Sequence, residues 1–278
     1  MSFLQVIVFA IVQGITELFP VSSVAHGIFV PTLFHWKDIL KDPNFLPFVV
    51  MLHLGTATAL FLYFLKDWIH FFQSPFRPDR QEDRKTFFLV IVGTIPAGLL
   101  GLLLEKKLAG LFSSGKVAAF FLIVNAFVLL YGDSLRRRRK RARYSGHGLE
   151  LHQLSYGRAV LVGMCQALAL IPGFSRSGVT IVGALMNGLS YDAAARFTFL
   201  LATPLIGAAA LKEVPKLFHG SHGLLSSAIL GGVLAGIAAY LSTAFLMKWF
   251  KQHEVQAMKP FAYYCFIVGI GIFLFSSL

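Results

Sequence analysis

The chain has 278 residues, of which 56% are hydrophobic and only 14% are charged, whereas an average soluble domain has about 25% charged residues. The mean hydropathy is +0.70, so a soluble globule of this length would lack the polar residues to cover its surface, and an ordinary soluble enzyme is excluded. The continuous apolar runs also exclude an outer-membrane barrel, whose strands alternate apolar and polar residues. The composition therefore predicts an all-α polytopic membrane protein.

Residues 3–34 are apolar, but prolines and polar side chains interrupt them. A single helix of this length would be about 48 Å long at a rise of 1.5 Å per residue, which exceeds the roughly 30 Å hydrocarbon core of a bilayer. Divided at Pro20, each half is too short to cross. We therefore predict a re-entrant helical hairpin, a structure that is stable only where protein or a water-filled cavity satisfies the broken backbone.

Three apolar runs follow the first hairpin, and they come close to or reach the length of about 17–25 residues that a bilayer requires. They are residues 46–65, 86–104 and 117–132. The basic run Arg136-Arg137-Arg138-Arg139-Lys140-Arg141 comes next. Because cytoplasmic loops of membrane proteins collect Lys and Arg, the net charge of +12 indicates topology. We interpret the run as a cytoplasmic anchor beside anionic membrane lipids and expect no nucleic-acid partner.

Residues 159–190 form a second broken apolar stretch, which Pro172-Gly173 interrupts and which carries Arg176 in its middle. Three further apolar runs complete the chain, at residues 197–211, 224–247 and 260–278. The predicted fold therefore has about six transmembrane helices plus two re-entrant helical hairpins.

The two broken regions correspond to each other in sequence. Gln13 precedes Ser22 by nine residues, and Gln166 precedes Ser175 by nine. Each region has a proline between the two positions and is followed by three spans. Because each half has an odd number of crossings, the halves are predicted to be inverted relative to each other, an architecture that places a site where the broken helices meet.

This correspondence divides the chain into a first inverted repeat at residues 1–135, a basic cytoplasmic linker at residues 136–158 and a second inverted repeat at residues 159–278. The loops on the side of the linker carry 16 Lys and Arg residues, and the loops on the other side carry 7. Since the more basic side is cytoplasmic, both termini are predicted to lie outside the cytoplasm.

Polar side chains cluster at the first break. Gln13 and Glu17 share one helix face, and a carboxylate inside an apolar segment marks a functional site by default because its burial is costly. Ser22, Ser23 and His26 follow within nine residues, and two hydroxyls and an imidazole near a carboxylate can supply a nucleophile, an acid or base and a metal ligand. The structural alternative is that Glu17 pairs with an Arg of the other half, the serines cap helices and His26 is a core histidine.

The second break carries the residues of an anion site. Ser175 is a natural N-cap, and a helix that starts there directs free N–H groups and the positive end of its dipole at a ligand, an arrangement that suits phosphate. Arg176 adds a guanidinium fork that matches phosphate oxygens, and Ser177 and Thr180 add hydroxyl donors. The structural alternative for Arg176 is that it neutralises Glu17.

The stretches at residues 13–26 and 172–180 resemble the two signature motifs of the undecaprenyl-diphosphate phosphatase family, also called the bacitracin-resistance BacA family. The first resembles (E/Q)xxxE followed by PxSSxxH, and the second matches PGxSRSxxT at every fixed position. Two positions depart from the usual pattern, because Gln13 stands where Glu is commoner and Ala25 stands where a Gly usually precedes the His. The resemblance covers essentially the whole chain.

The resemblance implies a hydrolase of the bacterial plasma (inner) membrane that converts undecaprenyl diphosphate to undecaprenyl phosphate and inorganic phosphate. It also implies a divalent cation, Mg²⁺ or Ca²⁺, for which Gln13 and Glu17 are the candidate ligands. Ser23 is the first candidate for the nucleophile and Ser22 the second, with a water activated by His26 as a third possibility. His26 is the candidate acid or base, and the groups expected to bind and stabilise phosphate are listed together: Ser175, Arg176, Ser177 and Thr180.

A polyprenyl-phosphate flippase is the alternative from another class, because inverted repeats and broken helices suit transport. Transport does not require the set of Ser22, Ser23 and His26, which favours the hydrolase. The sequence leaves the oligomeric state open and is compatible with a homo-oligomer.

Overall fold

The computed structural model describes residues 1–42, 44–108, 114–141, 148–213, 222–253 and 255–275. Within these residues the chain forms eleven α-helices, and the predicted all-α class is confirmed. The helices are α1 (Phe3–Thr16), α2 (Ser23–Leu33), α3 (Phe45–Tyr63), α4 (Leu65–Gln73), α5 (Gln81–Leu108), α6 (Gly115–Arg141), α7 (Tyr156–Ala167), α8 (Arg176–Met186), α9 (Tyr191–Glu213), α10 (His222–Gln252) and α11 (Lys259–Phe275).

Five helices of the described chain are long and apolar enough to cross a membrane: α3, α5, α6, α9 and α10. The sixth predicted span falls on α11, which has 17 residues and so reaches the lower end of the length that a bilayer requires, about 17–25 residues. The polytopic architecture predicted from the apolar runs is therefore confirmed.

Both predicted hairpins are present as pairs of short helices. The helices α1 and α2 have 14 and 11 residues, and α7 and α8 have 12 and 11, so each is only about 16–21 Å long. The helices of each pair contact one another. The first break lies at residues 17–22 and the second at residues 168–175, where prolines remove backbone donors and serines cap the helix that follows.

The helix contacts follow a paired pattern. In the first hairpin α1 packs on α10, and in the second α7 packs on α5. The spans α3 and α9 contact each other, as do α6 and α11. An inverted repeat that relates α3, α5 and α6 to α9, α10 and α11 would map the first of these pairs onto the second and is compatible with the other two. The division into two repeats itself stays a prediction.

The basic linker is more helical than its predicted bounds imply. The helix α6 continues to Arg141 and α7 already begins at Tyr156, while residues 142–147 lie outside the described part of the chain. Arg and Lys are good helix formers, and cations are favourable at the C-terminal end of a helix. The basic run therefore extends α6 to Arg141, although the sequence predicts a linker from residue 136.

A buried polar cluster joins α6 to two helices of the C-terminal half. Asp133 on α6 is fully buried and accepts hydrogen bonds from the Tyr191 hydroxyl and from the backbone N–H of Met258, at 3.1 Å for the latter. The guanidinium of Arg136 lies over the Tyr191 ring, 5.9 Å from its centroid. These contacts hold the ends of α6, α9 and α11 together.

Glycines allow helices to approach to backbone contact. A Cβ atom on Gly55 of α3 would lie 1.9 Å from the carbonyl oxygen of Gly232 on α10, and one on Gly163 of α7 would lie 2.1 Å from the carbonyl oxygen of Gly93 on α5. Small residues at such crossings drive helix association in lipid, where the apolar surroundings supply no hydrophobic effect between helices. The second contact fixes a hairpin helix against a membrane span.

We expect Gly163→Ala to destabilise the protein by about 1–3 kcal/mol, the usual cost of overpacking a close contact. Thermal unfolding of the purified, detergent-solubilised protein measures the effect. Gly157→Ala on the same helix is the matched control, because nothing lies within 4 Å of the Cβ position there. If Gly163→Ala melts at or above the temperature of Gly157→Ala, the backbone contact with α5 is not a packing constraint.

Candidate active site

Glu17 lies where α1 ends, at the tip of the first hairpin. Its backbone N–H bonds to the carbonyl of Gln13 at 3.0 Å, so the last helical turn positions it. The Gln13 amide Nε2 donates to Glu17 Oε2 at 3.1 Å, as their spacing on one helix face predicts, and both side chains are buried. The end of α1 therefore contributes a buried carboxylate and an amide that donates to it.

The two serines of the first break have different surroundings. Ser22 adopts a left-handed backbone with φ of 66° and caps α2, and its Oγ accepts the N–H of Ala25 at 3.4 Å. Ser23 is the first residue of α2, and its Oγ donates to Glu17 Oε2 at 2.5 Å. Of the two candidate nucleophiles, only Ser23 has its hydroxyl on the carboxylate.

The second break places Arg176 at the start of α8. Ser175 caps the helix and its Oγ accepts the Gly178 N–H at 3.2 Å, which confirms the predicted N-cap. The Ser177 hydroxyl donates to the carbonyl of Phe19 at 3.1 Å, and Thr180 Oγ1 donates to the carbonyl of Arg176 at 2.6 Å. Two of the hydroxyls expected to bind phosphate thus bond to backbone carbonyls here, and their phosphate-binding role stays a prediction.

The tips of the two hairpins meet at an ion pair. Arg176 donates through Nη2 and Nε to Glu17 Oε1, at 2.9 and 3.3 Å, which confirms the predicted proximity of these residues. The third guanidinium nitrogen, Nη1, is buried and has no hydrogen-bond partner among the described residues. Because a buried donor without a partner is costly, this atom marks a position that an anionic oxygen would satisfy.

His26 lies beside these residues and has other partners. Its Nδ1 bonds to the Ser22 carbonyl at 2.8 Å, and its Nε2 is 2.7 Å from the hydroxyl of Tyr264 on α11. No hydrogen bond or ion pair of His26 with Glu17 or Ser23 is found in the described part of the chain. The predicted role of His26 as acid or base stays a prediction, and Tyr264 is a partner that the motifs did not indicate.

Two further residues of the site come from the spans, and sequence reasoning missed both. His53 on α3 has its Nε2 at 3.5 Å from Glu17 Oε2. Asn125 on α6 donates to the carbonyl of Pro20 at 3.1 Å and accepts the backbone N–H of Ser175 at 3.2 Å. The available signal was a single polar residue within an otherwise apolar span, which by itself marks a functional position.

Both carboxylate oxygens of Glu17 accept hydrogen bonds from these residues. Oε1 accepts from Arg176, while Oε2 accepts from Ser23 and Gln13 and faces His53. Donors from both hairpins and one span therefore compensate a charge that would be expensive to bury alone.

The implied divalent cation requires more ligands than this arrangement offers. Mg²⁺ and Ca²⁺ take six or more oxygen ligands, whereas Gln13 and Glu17 supply one amide and one fully hydrogen-bonded carboxylate. No group of three or more His, Cys, Asp or Glu residues that could hold an ion occurs within the described ranges. These side chains do not fit a resident cation by themselves.

We expect Asn125→Leu to lower stability and activity together, because it leaves the Ser175 N–H buried without a partner, at about 1–3 kcal/mol, and leaves the Pro20 carbonyl with only the weak donor Cys265 Sγ at 3.5 Å. Thermal unfolding and phosphate release measure the two effects. Asn187→Leu is the matched control, since among the described residues its side-chain amide donates to the carbonyl of Gly183, in the helix that it follows. If the two variants behave alike, the bridge between the breaks does not hold the site.

Comparison with known proteins agrees with the geometry of the two breaks. Residues 6–271 match the family model described as "Bacitracin resistance protein BacA". Undecaprenyl-diphosphatase 2 of Chromobacterium violaceum is 46% identical and the alignment covers 99% of each chain. Undecaprenyl-diphosphatase of Acidiphilium cryptum is 48% identical over 97% of this chain and 96% of its own length. With both motifs in place over the full length, the chain belongs to the BacA family.

Proposed function

We propose that this protein is an undecaprenyl-diphosphatase, an integral-membrane enzyme that hydrolyses undecaprenyl diphosphate to undecaprenyl phosphate and inorganic phosphate. The reaction recycles the lipid carrier for peptidoglycan synthesis and confers bacitracin resistance. Family membership and the names of the similar proteins support the activity. They favour the hydrolase over a polyprenyl-phosphate flippase, because the relatives compared above are all named as diphosphatases.

The observation that carries the proposal is that the three nitrogens of the Arg176 guanidinium have different surroundings. Two of its nitrogens bond to Glu17, which fixes the plane of the group, and Nη1 is left buried and unsatisfied. A phosphate oxygen at Nη1 would complete the fork with a charge-assisted hydrogen bond. The Ser23 hydroxyl lies on the other oxygen of the same carboxylate, so a phosphate held by Arg176 would lie close to a hydroxyl whose proton already faces a base.

We assign the nucleophile to Ser23, since the Ser22 hydroxyl caps α2 and His26 is bonded to Tyr264. In the first step Ser23 Oγ forms a bond to the terminal phosphorus, its proton passes to Glu17, and the bond from phosphorus to the bridging oxygen breaks. Undecaprenyl phosphate leaves with that electron pair. In the second step a water oxygen forms a bond to the phosphorus of the phosphoserine as the bond from phosphorus to Ser23 Oγ breaks, and Glu17 returns its proton to Ser23 Oγ. One water proton stays on the inorganic phosphate that is released, and the other passes to solvent.

Arg176 and the start of α8 stabilise the charge that develops on the transferred phosphoryl group. We propose that a Mg²⁺ or Ca²⁺ ion would be held mainly by oxygens of the diphosphate, with Gln13 and Glu17 as the candidate protein ligands, and that it would offset the charge of the phosphates. Direct attack by a water molecule is the remaining alternative to Ser23.

Arg176→Lys tests the guanidinium. We expect phosphate release to fall by about 10²–10³-fold, the usual cost of one preorganised donor, because a single ammonium cannot bond to Glu17 and to phosphate in the same geometry. The melting temperature should stay near that of the wild type, since the charge opposite Glu17 is kept. The measurement is phosphate release from detergent-solubilised protein with undecaprenyl diphosphate as substrate.

The control for this exchange is Arg196→Lys, which makes the same change in an ion pair with Asp67 outside the site. Activity of Arg176→Lys within about threefold of the wild type, less than 1 kcal/mol in barrier height, would assign Arg176 a structural role only. If Arg176→Lys also fails to fold, Ser23→Ala decides, because retained activity in that variant excludes the assigned nucleophile.

We further propose that residues 136–158 face the cytoplasm and that both termini lie outside it. The excess of basic residues on the linker side supports this orientation. We expect a reporter that is active only in the cytoplasm to be active when fused after residue 145 and inactive when fused after residue 278. The opposite pair of signals would invert the topology.

A further inference from the structure

His53 connects a membrane span to the carboxylate at the hairpin tip. We propose that His53 is a positioning residue that keeps Glu17 Oε2 directed at Ser23 during the reaction. The inference rests on the proposed function, and it concerns a residue outside both sequence motifs. It is carried by two contacts of one ring, Nε2 at 3.5 Å from Glu17 Oε2 and Nδ1 at 2.9 Å from the Val49 carbonyl oxygen.

The ring of His53 is oriented by its own helix. A carbonyl oxygen only accepts hydrogen bonds, so the Nδ1 atom that faces Val49 carries a proton, and the ring is held against the preceding turn of α3. The only nitrogen left, Nε2, is therefore presented to the carboxylate. Since a carboxylate is also an acceptor, this contact is favourable only when Nε2 donates as well, that is, when both ring nitrogens carry a proton.

His53 is the partner of Glu17 Oε2 that lies outside the first hairpin. Ser23 and Gln13, the other partners of Oε2, lie on the same hairpin as Glu17. His53 lies on α3, which packs against α1, α9 and α10. Among the described contacts of Oε2, His53 is therefore the one that comes from a helix long enough to span a membrane.

Without His53, Arg176 would compete for this oxygen. Arg176 holds only Oε1, and its Nη1 is buried and unsatisfied. Bidentate pairing is the preferred geometry of Arg with a carboxylate, and a rotation of the Glu17 carboxylate would allow it. That rotation would pair Nε and Nη2 with one carboxylate oxygen each and would move Oε2 away from the Ser23 hydroxyl. His53, whose Nε2 lies 3.5 Å from Oε2, opposes that rotation.

The exposure of the side chains makes the inference testable by substitution. The His53 side chain is 27% exposed, against 7% for Glu17 and 12% for Arg176. Replacing it leaves the charges of Glu17 and Arg176 paired and creates no enclosed cavity, so the variants should fold. A loss of activity would then report on the geometry of the site.

The experiment compares His53→Leu and His53→Gln in purified protein with undecaprenyl diphosphate in detergent. We expect kcat of His53→Leu to fall by up to about a hundredfold, the usual effect of displacing a reacting group by 1 Å, with a smaller change in KM. His53→Gln presents an amide N–H at a similar reach and should recover most of kcat. Melting temperatures of both variants should stay near that of the wild type.

His253→Leu is the matched control, because His253 also bonds through Nδ1 to the carbonyl four residues before it, at 2.9 Å from Trp249 O, and lies outside the site. Its kcat should equal that of the wild type. If His53→Leu keeps wild-type kcat, or if His53→Gln is as impaired as His53→Leu while both are folded, the positioning role is wrong. A wild-type protein that releases no phosphate from the diphosphate would instead contradict the proposed function.

Discussion

The buried ion pair between Glu17 and Arg176 is the contact on which the arrangement of the site depends. It joins the tips of two hairpins whose paired residues lie 159 positions apart in sequence. A buried pair recovers little more than its desolvation cost, whereas removal of one partner leaves an unpaired charge and costs about 3–5 kcal/mol. Each hairpin therefore needs the tip of the other, and the pair is better understood as fixing the position of the two breaks than as adding to stability.

The carboxylate of this pair has more hydrogen-bond partners than the guanidinium, and this difference suits a phosphatase. The carboxylate has partners on both oxygens, from Arg176, Ser23 and Gln13, while the guanidinium keeps a buried nitrogen without one. Arg196, which pairs with Asp67 outside the site, also keeps one buried nitrogen without a partner, so the distinctive feature of Arg176 is the Ser23 hydroxyl on the carboxylate that it binds. An unsatisfied cationic donor beside a hydroxyl that is already bonded to a base is the arrangement expected before a phosphate arrives.

The sequence predicts the parts of this site that stand out against apolar surroundings. Glu17 and Arg176 are charges within hydrophobic stretches, and prolines and serines mark both breaks, so the hairpins and their meeting point could be predicted. His53 and Asn125 could not be assigned a role, because one polar residue in a span does not indicate which neighbour it meets. Likewise, only the folded chain shows that His26 faces Tyr264 and that the Ser177 and Thr180 hydroxyls bond to backbone carbonyls.

The backbone of Ser22 explains how the first break presents Ser23. A non-glycine residue with φ of 66° costs roughly 1–3 kcal/mol and persists only where its surroundings enforce it. The Ser22 carbonyl accepts from both the backbone N–H and the Nδ1 of His26, and the His26 ring is held in turn by Tyr264. These contacts keep the turn in its strained form, so that the next residue starts α2 with its hydroxyl toward Glu17. His26 thereby influences Ser23 through the backbone, and any chemical role of its imidazole would come in addition to that mechanical one.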